Sequence, residues 1–431
     1  MTARTALLFP GQGGYAPGAL AALAGESRQV LPVLQAVDEV AAEYGHDTIS
    51  SLLVEESADA ADELARSDPA RLDLAIFACS VAVHHVLLDS GRTVDVLVGH
   101  SLGEIAALTA AGVFTVADGA RVVAERAAAF TRRKPPDGGM ISLGLDEART
   151  AHLLAALATW RVEIAAVNAP TQTVVSGPTD ELTAVEAATV AVGIPSRWLS
   201  APYPFHNAML EPVAAAFAQA VAGIPVRRPR TRVYSPIALR PYRADTDVLA
   251  ELVSHLARPV RFAEAVRRLH ADGVTAFVEC GAGRVLTGLV TRGLSGVDTE
   301  SPLTSSMPRA RSSAQQPAAV PVQRPAAEKP TAPESPDSRT ATMPAGDALL
   351  ETLRQEYADA LGYPAEVFVD EADLEADLGV DSLKQVEIFA RLRKRFDLPA
   401  PPDGRQISAY RTLPAVANGL RELAADTPAT R

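Results

Sequence analysis

Cysteine is nearly absent from this chain: of 431 residues only two are cysteines, Cys79 in AIFACS and Cys280 in VECGAG. Both lie in apolar runs and far apart, which argues for small buried thiols and against a disulfide or metal site, so no metal is expected. A reducing, cytoplasmic setting is the corresponding expectation. No leader is expected either. The opening MTARTALLFPGQGG has neither the long apolar core nor the small-residue cleavage site of a signal peptide, and no run of about 18 uninterrupted apolar residues occurs. A soluble protein without a membrane partner is expected. Nor is there an excess of positive charge. A net charge of −12 argues against general nucleic-acid binding, which needs clustered cations to replace phosphate counterions.

What is present is length and a supply of apolar residues. The chain is too long for one ordinary domain, and 48% hydrophobic content can fill two or three cores. Residues 301–345 hold nine prolines and no aromatic or isoleucine, so they cannot bury enough apolar surface to offset their ordering entropy and read as a disordered Pro/Ala-rich linker. Before it, Thr5–Phe9, Val94–Val98 and Ala276–Glu279 each run into a glycine turn and then a helix-like segment. That pattern predicts an α/β fold with a mainly parallel sheet over about 1–136 and 201–300. Between about 137 and 200 the texture changes to four short strands, Met140–Leu143, Glu163–Val167, Thr173–Ser176 and Ser196–Leu199. Helices over Asp146–Ala158 and Pro178–Val192 complete a βαββαβ order, a ferredoxin-like insert. After the linker, residues 346–431 carry 16 acidic and 10 basic residues, half of the net charge. Apolar positions at helical spacing over Gly346–Gly362, Ser382–Phe396 and Pro414–Ala425 predict a small helical bundle with an acidic docking surface.

The chemistry-bearing motif is Gly99-His100-Ser101-Leu102-Gly103, preceded by an apolar strand and followed by the helical IAALTAAGV. This is the strand, sharp turn and helix of a nucleophile elbow, with Ser101 exposed where the Leu102 amide and the helix dipole favour negative charge. The five residues alone fit an ordinary junction with a capping serine equally well. A serine nucleophile needs a base, and of eight histidines His206 stands out because it sits in the proline-rich loop APYPFHNAM. By spacing alone a lone histidine is more often structural or merely exposed. Arg126, on RVVAERAAAF, reads by itself as a surface arginine.

Taken together, LFPGQG at the start, GHSLGE around Ser101, Arg126 twenty-five residues on, AAVNAP, PFHNAML, RPVRFAEAV and FVECGAGRVLTGL resemble the malonyl-CoA:acyl carrier protein transacylases and the acyltransferase domains of polyketide and fatty acid synthases, over about Thr5 to Leu294. The resemblance implies a hydrolase-like α/β core in which Ser101 is acylated and His206 is its base. It places the oxyanion hole at the amides of Gln12 and Leu102 and gives Arg126 the free carboxylate of a malonyl group. His100, Tyr203 and Phe205 become candidates for substrate contact. Phe205 just before the histidine resembles malonyl-selective relatives and Tyr203 the methylmalonyl pattern, a difference of about 1–3 kcal/mol at most. Three positions depart from the family pattern: Gly14-Tyr15, which bears on the pocket entrance; Ala282, where a proline is usual; and His255, where many relatives carry a glutamine that orients the base. If that is the role of the position, another acceptor must hold His206.

DLGVDSL around Ser382 resembles the attachment motif of acyl carrier proteins. This implies 4'-phosphopantetheine on Ser382, placed there by a phosphopantetheinyl transferase. The implied partners are malonyl-CoA or a related acyl-CoA and acyl carrier domains, the chain's own and those of a polyketide synthase. The implied activity is acyl transfer through an acyl-serine, within polyketide biosynthesis. An acyl hydrolase that clears carrier proteins, transfer between carrier proteins, and a scaffold without catalysis are the alternatives; the arginine weighs against the hydrolase.

Overall fold

The computed structural model describes residues 4–55, 57–305 and, toward the C-terminus, 344, 347–361, 368, 370, 374, 388–389, 391–393, 395–396, 398, 410 and 412–425. The chain divides into two compact units, Met1–Pro321 and Val322–Arg431.

In the first unit the strands are β1 (Arg4–Phe9), β2 (Val96–Gly99), β3 (Gly138–Leu143), β4 (Glu163–Ala169), β5 (Gln172–Pro178), β6 (Ser196–Trp198), β7 (Val233–Ser235), β8 (Arg240–Pro241), β9 (Val274–Glu279) and β10 (Asp298–Glu300). Six of them form a sheet in the order β10-β9-β1-β2-β7-β8. Every pairing in it is parallel except β7 with β8. Leu7, Leu8, Phe9, Val96, Leu97 and Val98 are all buried, as strands covered by helices on both faces must be. The helix Pro69–Asp89 is long and apolar enough to cross a membrane, yet most of it is buried in this core.

Register decides where the chemistry can sit. Phe9 pairs with Gly99, and Leu8 with Glu279, so three strands end at one level. The loops that follow are joined there by His100 N–H to the Phe9 carbonyl (2.9 Å), Cys280 N–H to Leu8 (2.7 Å) and Ala282 N–H to Gly14 (3.2 Å). The carboxyl ends of parallel strands are where open α/β sheets bind ligands.

The second sheet, in the order β4-β5-β3-β6, is antiparallel throughout. With the helices Glu147–Leu157 and Thr179–Ala191 between strands, it is the ferredoxin-like βαββαβ insert read from the sequence. It has its own core of Ile141, Leu143, Leu154, Val175, Leu182 and Val185. The insert grips the larger sheet's domain through β4: Val260 N–H donates to the Ala165 carbonyl (2.9 Å) and Val167 N–H to Val260 (2.8 Å).

The folded unit continues past residue 300, where the sequence predicts the linker to begin. A short helix, Pro302–Ser305, follows β10. Its Leu303 is buried in the main core, and the Ser301 and Thr287 hydroxyls lie 3.0 Å apart. A buried leucine and the hydroxyl contacts of Ser301 thus tie down the start of a segment whose composition is otherwise that of a linker.

The second unit is helical where described. Helices Asp347–Leu361 and Leu413–Ala425 contribute Leu349, Leu353, Tyr357, Val416, Leu420 and Leu423 to a core that also holds Phe368, Phe389 and Leu392. The expected attachment serine, Ser382, lies outside the described residues, as does Asp381.

Candidate active site

Ser101 occupies the turn between β2 and the helix Gly103–Ala110 with φ of +53°, a left-handed conformation that a non-glycine residue rarely adopts. Two glycines make this corner possible. A Cβ on Gly103 would lie 2.0 Å from the Phe9 carbonyl oxygen, and one on Gly99 would lie 2.2 Å from the backbone of Glu104. Helix and strand therefore cross closer than any side chain allows, and the serine is thrust out at the helix N-terminus.

The Ser101 Oγ lies 2.7 Å from His206 Nε2. The other ring nitrogen, Nδ1, is 2.8 Å from the Arg258 carbonyl oxygen. A carbonyl can only accept, so Nδ1 carries the hydrogen and Nε2 presents a lone pair to the serine hydroxyl. Burial holds the imidazole down at about 4, with the Arg258 carbonyl opposing that shift. His206 is thus a neutral base at neutral pH. Main-chain groups hold the base: the Arg258 carbonyl accepts from Nδ1, and the His255 main chain also acts on the ring.

Several groups fix this pair. His206 itself has φ of +61°. The next residue, Asn207, is buried, and its side-chain amide donates to the carbonyls of Ser176 (2.9 Å) and Arg161 (3.0 Å) at the edge of the insert. Arg258 precedes Val260, which β4 holds. The insert therefore aims the base from both sides. His100 Nε2 lies 2.8 Å from Asn168 Oδ1 on β4, and its ring packs edge-on to Phe262. His100 is therefore tied to the insert beside the nucleophile.

The cleft itself is lined by Ser101, Leu102, Arg126, His206 and His255, with apolar walls from Ile105, Leu252 and Leu256. The GQG loop passes over the turn: a Cβ on Gly11 would be 3.6 Å from the Leu102 nitrogen. Among the described residues no backbone carbonyl takes the N–H of Gln12 or Leu102 in a turn or cap, which leaves both as donors for an oxyanion. Tyr15 does not shape the entrance. It is buried, and its hydroxyl donates to the carbonyl of Asp59 at 2.9 Å.

Arg126, seven per cent exposed, reaches the cleft from the helix Val116–Arg132. Its guanidinium lies 5.0 Å from the Phe205 ring centroid. Phe205 meets Phe130 edge-on at 5.4 Å, and Tyr203 stacks on Phe130 at 4.3 Å. Tyr203 and Phe205 thus brace the arginine and are not among the cleft-lining residues. Arg126 Nη1 also donates to Asp73 Oδ2 at 3.0 Å, a buried ion pair that the motifs did not disclose. Burial raises the Asp73 carboxyl and lowers the Arg126 guanidinium, and each partner's charge opposes the shift of the other. The available signal for Asp73 was a single carboxylate inside the apolar stretch RLDLAIFACSVAV.

Behind the serine, Glu104 is fully buried and lies 3.7 Å from His255 Nε2. Burial raises Glu104 to about 8 and lowers His255 well below its ordinary value. Both groups are therefore neutral near pH 7, and they form a close polar contact without an ion pair.

An elbow serine in contact with a neutral histidine matches what comparison with known proteins finds. The acyl transferase domain model matches residues 6–322, and the phosphopantetheine attachment site model matches residues 351–420. Over 297 residues the chain is 35% identical to a phenolphthiocerol synthesis polyketide synthase type I of Mycobacterium marinum, which covers 68% of this chain and 14% of that protein. It is 34% identical over 289 residues to the polyketide biosynthesis protein ThaF of Burkholderia thailandensis, covering 67% of this chain and 24% of that one. The chain thus spans a small part of these curated relatives. Among solved structures it is similar to the malonyl CoA-acyl carrier protein transacylase of Coxiella burnetii, with a TM-score of 0.64, 25% identity and coverage of 70% of this chain and 94% of that one. It is also similar to the acyltransferase domain from module 8 of the salinomycin polyketide synthase, with a TM-score of 0.63, 29% identity and coverage of 69% and 70%. With about three quarters of its length inside one family model, and the nucleophile and base of that chemistry in contact, the chain belongs to the acyl transferase domain family and is an acyltransferase that carries a phosphopantetheine attachment domain behind it.

Proposed function

We propose that this enzyme moves a malonyl or related dicarboxylic acyl group from coenzyme A, through an ester on Ser101, to the thiol of an acyl carrier domain in polyketide biosynthesis. The observation that carries this reading is the Ser101–His206 contact of 2.7 Å with Nδ1 satisfied by the Arg258 carbonyl. His206 Nε2 takes the hydroxyl proton as Oγ bonds to the thioester carbon. The carbonyl oxygen becomes an oxyanion that the Leu102 and Gln12 amides receive. When the C–S bond breaks, the coenzyme A thiolate leaves and regains the proton from His206, so the charges balance. Deacylation runs the same steps backward with an acceptor thiol. Arg126 faces the same cleft and supplies guanidinium donors of the geometry that a free carboxylate takes.

A phosphopantetheine arm supplies the acceptor thiol, and Ser382, within the matched attachment-site segment, is the residue proposed to carry it, loaded by a phosphopantetheinyl transferase. Partners are then the chain's own carrier domain and those of a synthase. Fusion in one chain favours self-loading at an effective concentration around millimolar. The test is intact-mass measurement of the phosphopantetheinylated protein after exposure to malonyl-CoA. The expected result is a malonyl adduct on Ser382 that is absent from Ser101→Ala. No adduct on either serine of the unmodified sequence would sink the reading, and free malonate released without an adduct on Ser382 would mark a hydrolase.

A further inference from the structure

We infer that Asp73 is a specificity-determining residue: its carboxylate competes for Arg126 with the carboxylate of the incoming acyl group and so restrains the enzyme's preference for dicarboxylic over uncharged acyl chains. The inference rests on the proposed loading of Ser101 from coenzyme A thioesters and concerns what that loading selects.

Arg126 is the one arginine or lysine among the cleft-lining residues, beside the two histidines His206 and His255. No carboxylate stands among the cleft-lining residues, so an unpaired guanidinium there would be neutralised only by an anionic ligand, and an acyl group without a carboxylate would leave it stranded. This guanidinium is not unpaired. Asp73, on the helix Pro69–Asp89, lies 3.0 Å from Nη1, and the two side chains are 7% and 9% exposed. The pair is sealed on one side by the Phe205 ring, 5.0 Å from the guanidinium carbon. Arg126 therefore has its counter-ion before any substrate arrives.

Two consequences follow for substrates. A malonyl carboxylate binding to the remaining donors would make two anions share one cation in a site screened from water, which weakens its binding unless Asp73 takes up a proton. An acetyl group, in contrast, leaves an ion pair behind it and no orphaned charge. Both effects narrow the gap between the two classes of acyl group. Asn at position 73 separates charge from geometry, because its side-chain oxygen can still accept from Nη1 while the negative charge is gone.

The experiment uses the full chain and follows acylation of Ser101 by intact mass at short times, with malonyl-CoA and acetyl-CoA in parallel. The expected result is a malonyl-to-acetyl rate ratio at least about tenfold higher in Asp73→Asn than in the unmodified protein. That gain should vanish in Asp73→Asn/Arg126→Met. An unchanged or lower ratio in Asp73→Asn overturns the inference and makes Asp73 a support for Arg126. Asp73→Gln serves as a second neutral variant, with circular dichroism to check folding. If neither neutral variant folds, Asp73 is a folding requirement and the inference fails. Absence of any Ser101 adduct in the unmodified protein fails the proposed function instead, so the two results stay distinct.

Discussion

At the scale of single residues, the site depends on which groups burial keeps neutral. His206 is held at about 4, so its lone pair is available throughout the neutral range. Single-turnover acylation, followed by stopped mass measurement, should therefore be independent of this base from about pH 5 to 8 and fall as pH drops through about 4. Replacing it, His206→Ala, should slow acylation by about 10²–10⁴-fold. Glu104 behaves in the opposite sense. Its folded value, about 8, lies above the ordinary carboxyl value of 4.5. The native state then holds a proton that the unfolded chain has released, and stability present below the unfolded value is lost as pH rises through about 8. Glu104→Gln should flatten the fall in melting temperature between about pH 5 and 8; an equally steep fall in the variant would contradict this assignment. Ser101 was legible from its local elbow motif, and His206 and Arg126 only through the family that the segments holding them resemble. Asp73, Asn168 and Asn207 were not, because their partners are 53, 68 and 31 to 46 residues away. The group that orients the base, a main-chain carbonyl, is the same atom in every residue type and leaves no mark on sequence.

At the scale of elements, the elbow and the insert divide the work. The strand, glycine turn and helix around Ser101 are fixed locally. Gly103→Ala would drive a Cβ against the Phe9 carbonyl, now 2.0 Å from where that atom would sit. The cost should be at least about 1–3 kcal/mol by denaturant unfolding, with acylation lost even in the folded fraction. The base, in contrast, is aimed by an element that contributes no reacting group. Through Val260 the strand β4 sets the position of the Arg258 carbonyl, and through Asn207 the insert's loop and strand ends hold His206. Asn207→Ala would orphan the buried Ser176 carbonyl and should cost about 1–3 kcal/mol in stability, with a lowered acylation rate measured on the folded protein. The βαββαβ order was readable from alternating short strands and alanine-rich helices. Its purpose was not, since the contacts that give it one are made across domains of the fold.

At the scale of the whole molecule, two separate cores explain how one chain can hold an enzyme and a carrier domain. Each has its own buried cluster. Leu303 belongs to the first, so truncation after Glu300 should lower the melting temperature of the acyltransferase unit relative to truncation after Pro321, by a free energy of about 2–5 kcal/mol, the cost of removing a buried leucine. Equal stability of the two truncations would place that residue outside the core. The proline-rich composition marked a divide but not its edge, because composition averages over a window while burial is decided residue by residue. By itself the sequence determined the fold class, the alternation that builds the insert and the elbow of the serine, since these are written in short-range pattern, while the histidine and arginine were marked by resemblance to a known family. Only the tertiary structure decided which tautomer the base holds, what orients it, and that the arginine already has a counter-ion. Those outcomes depend on groups distant in sequence being brought within hydrogen-bond reach in a place water does not enter.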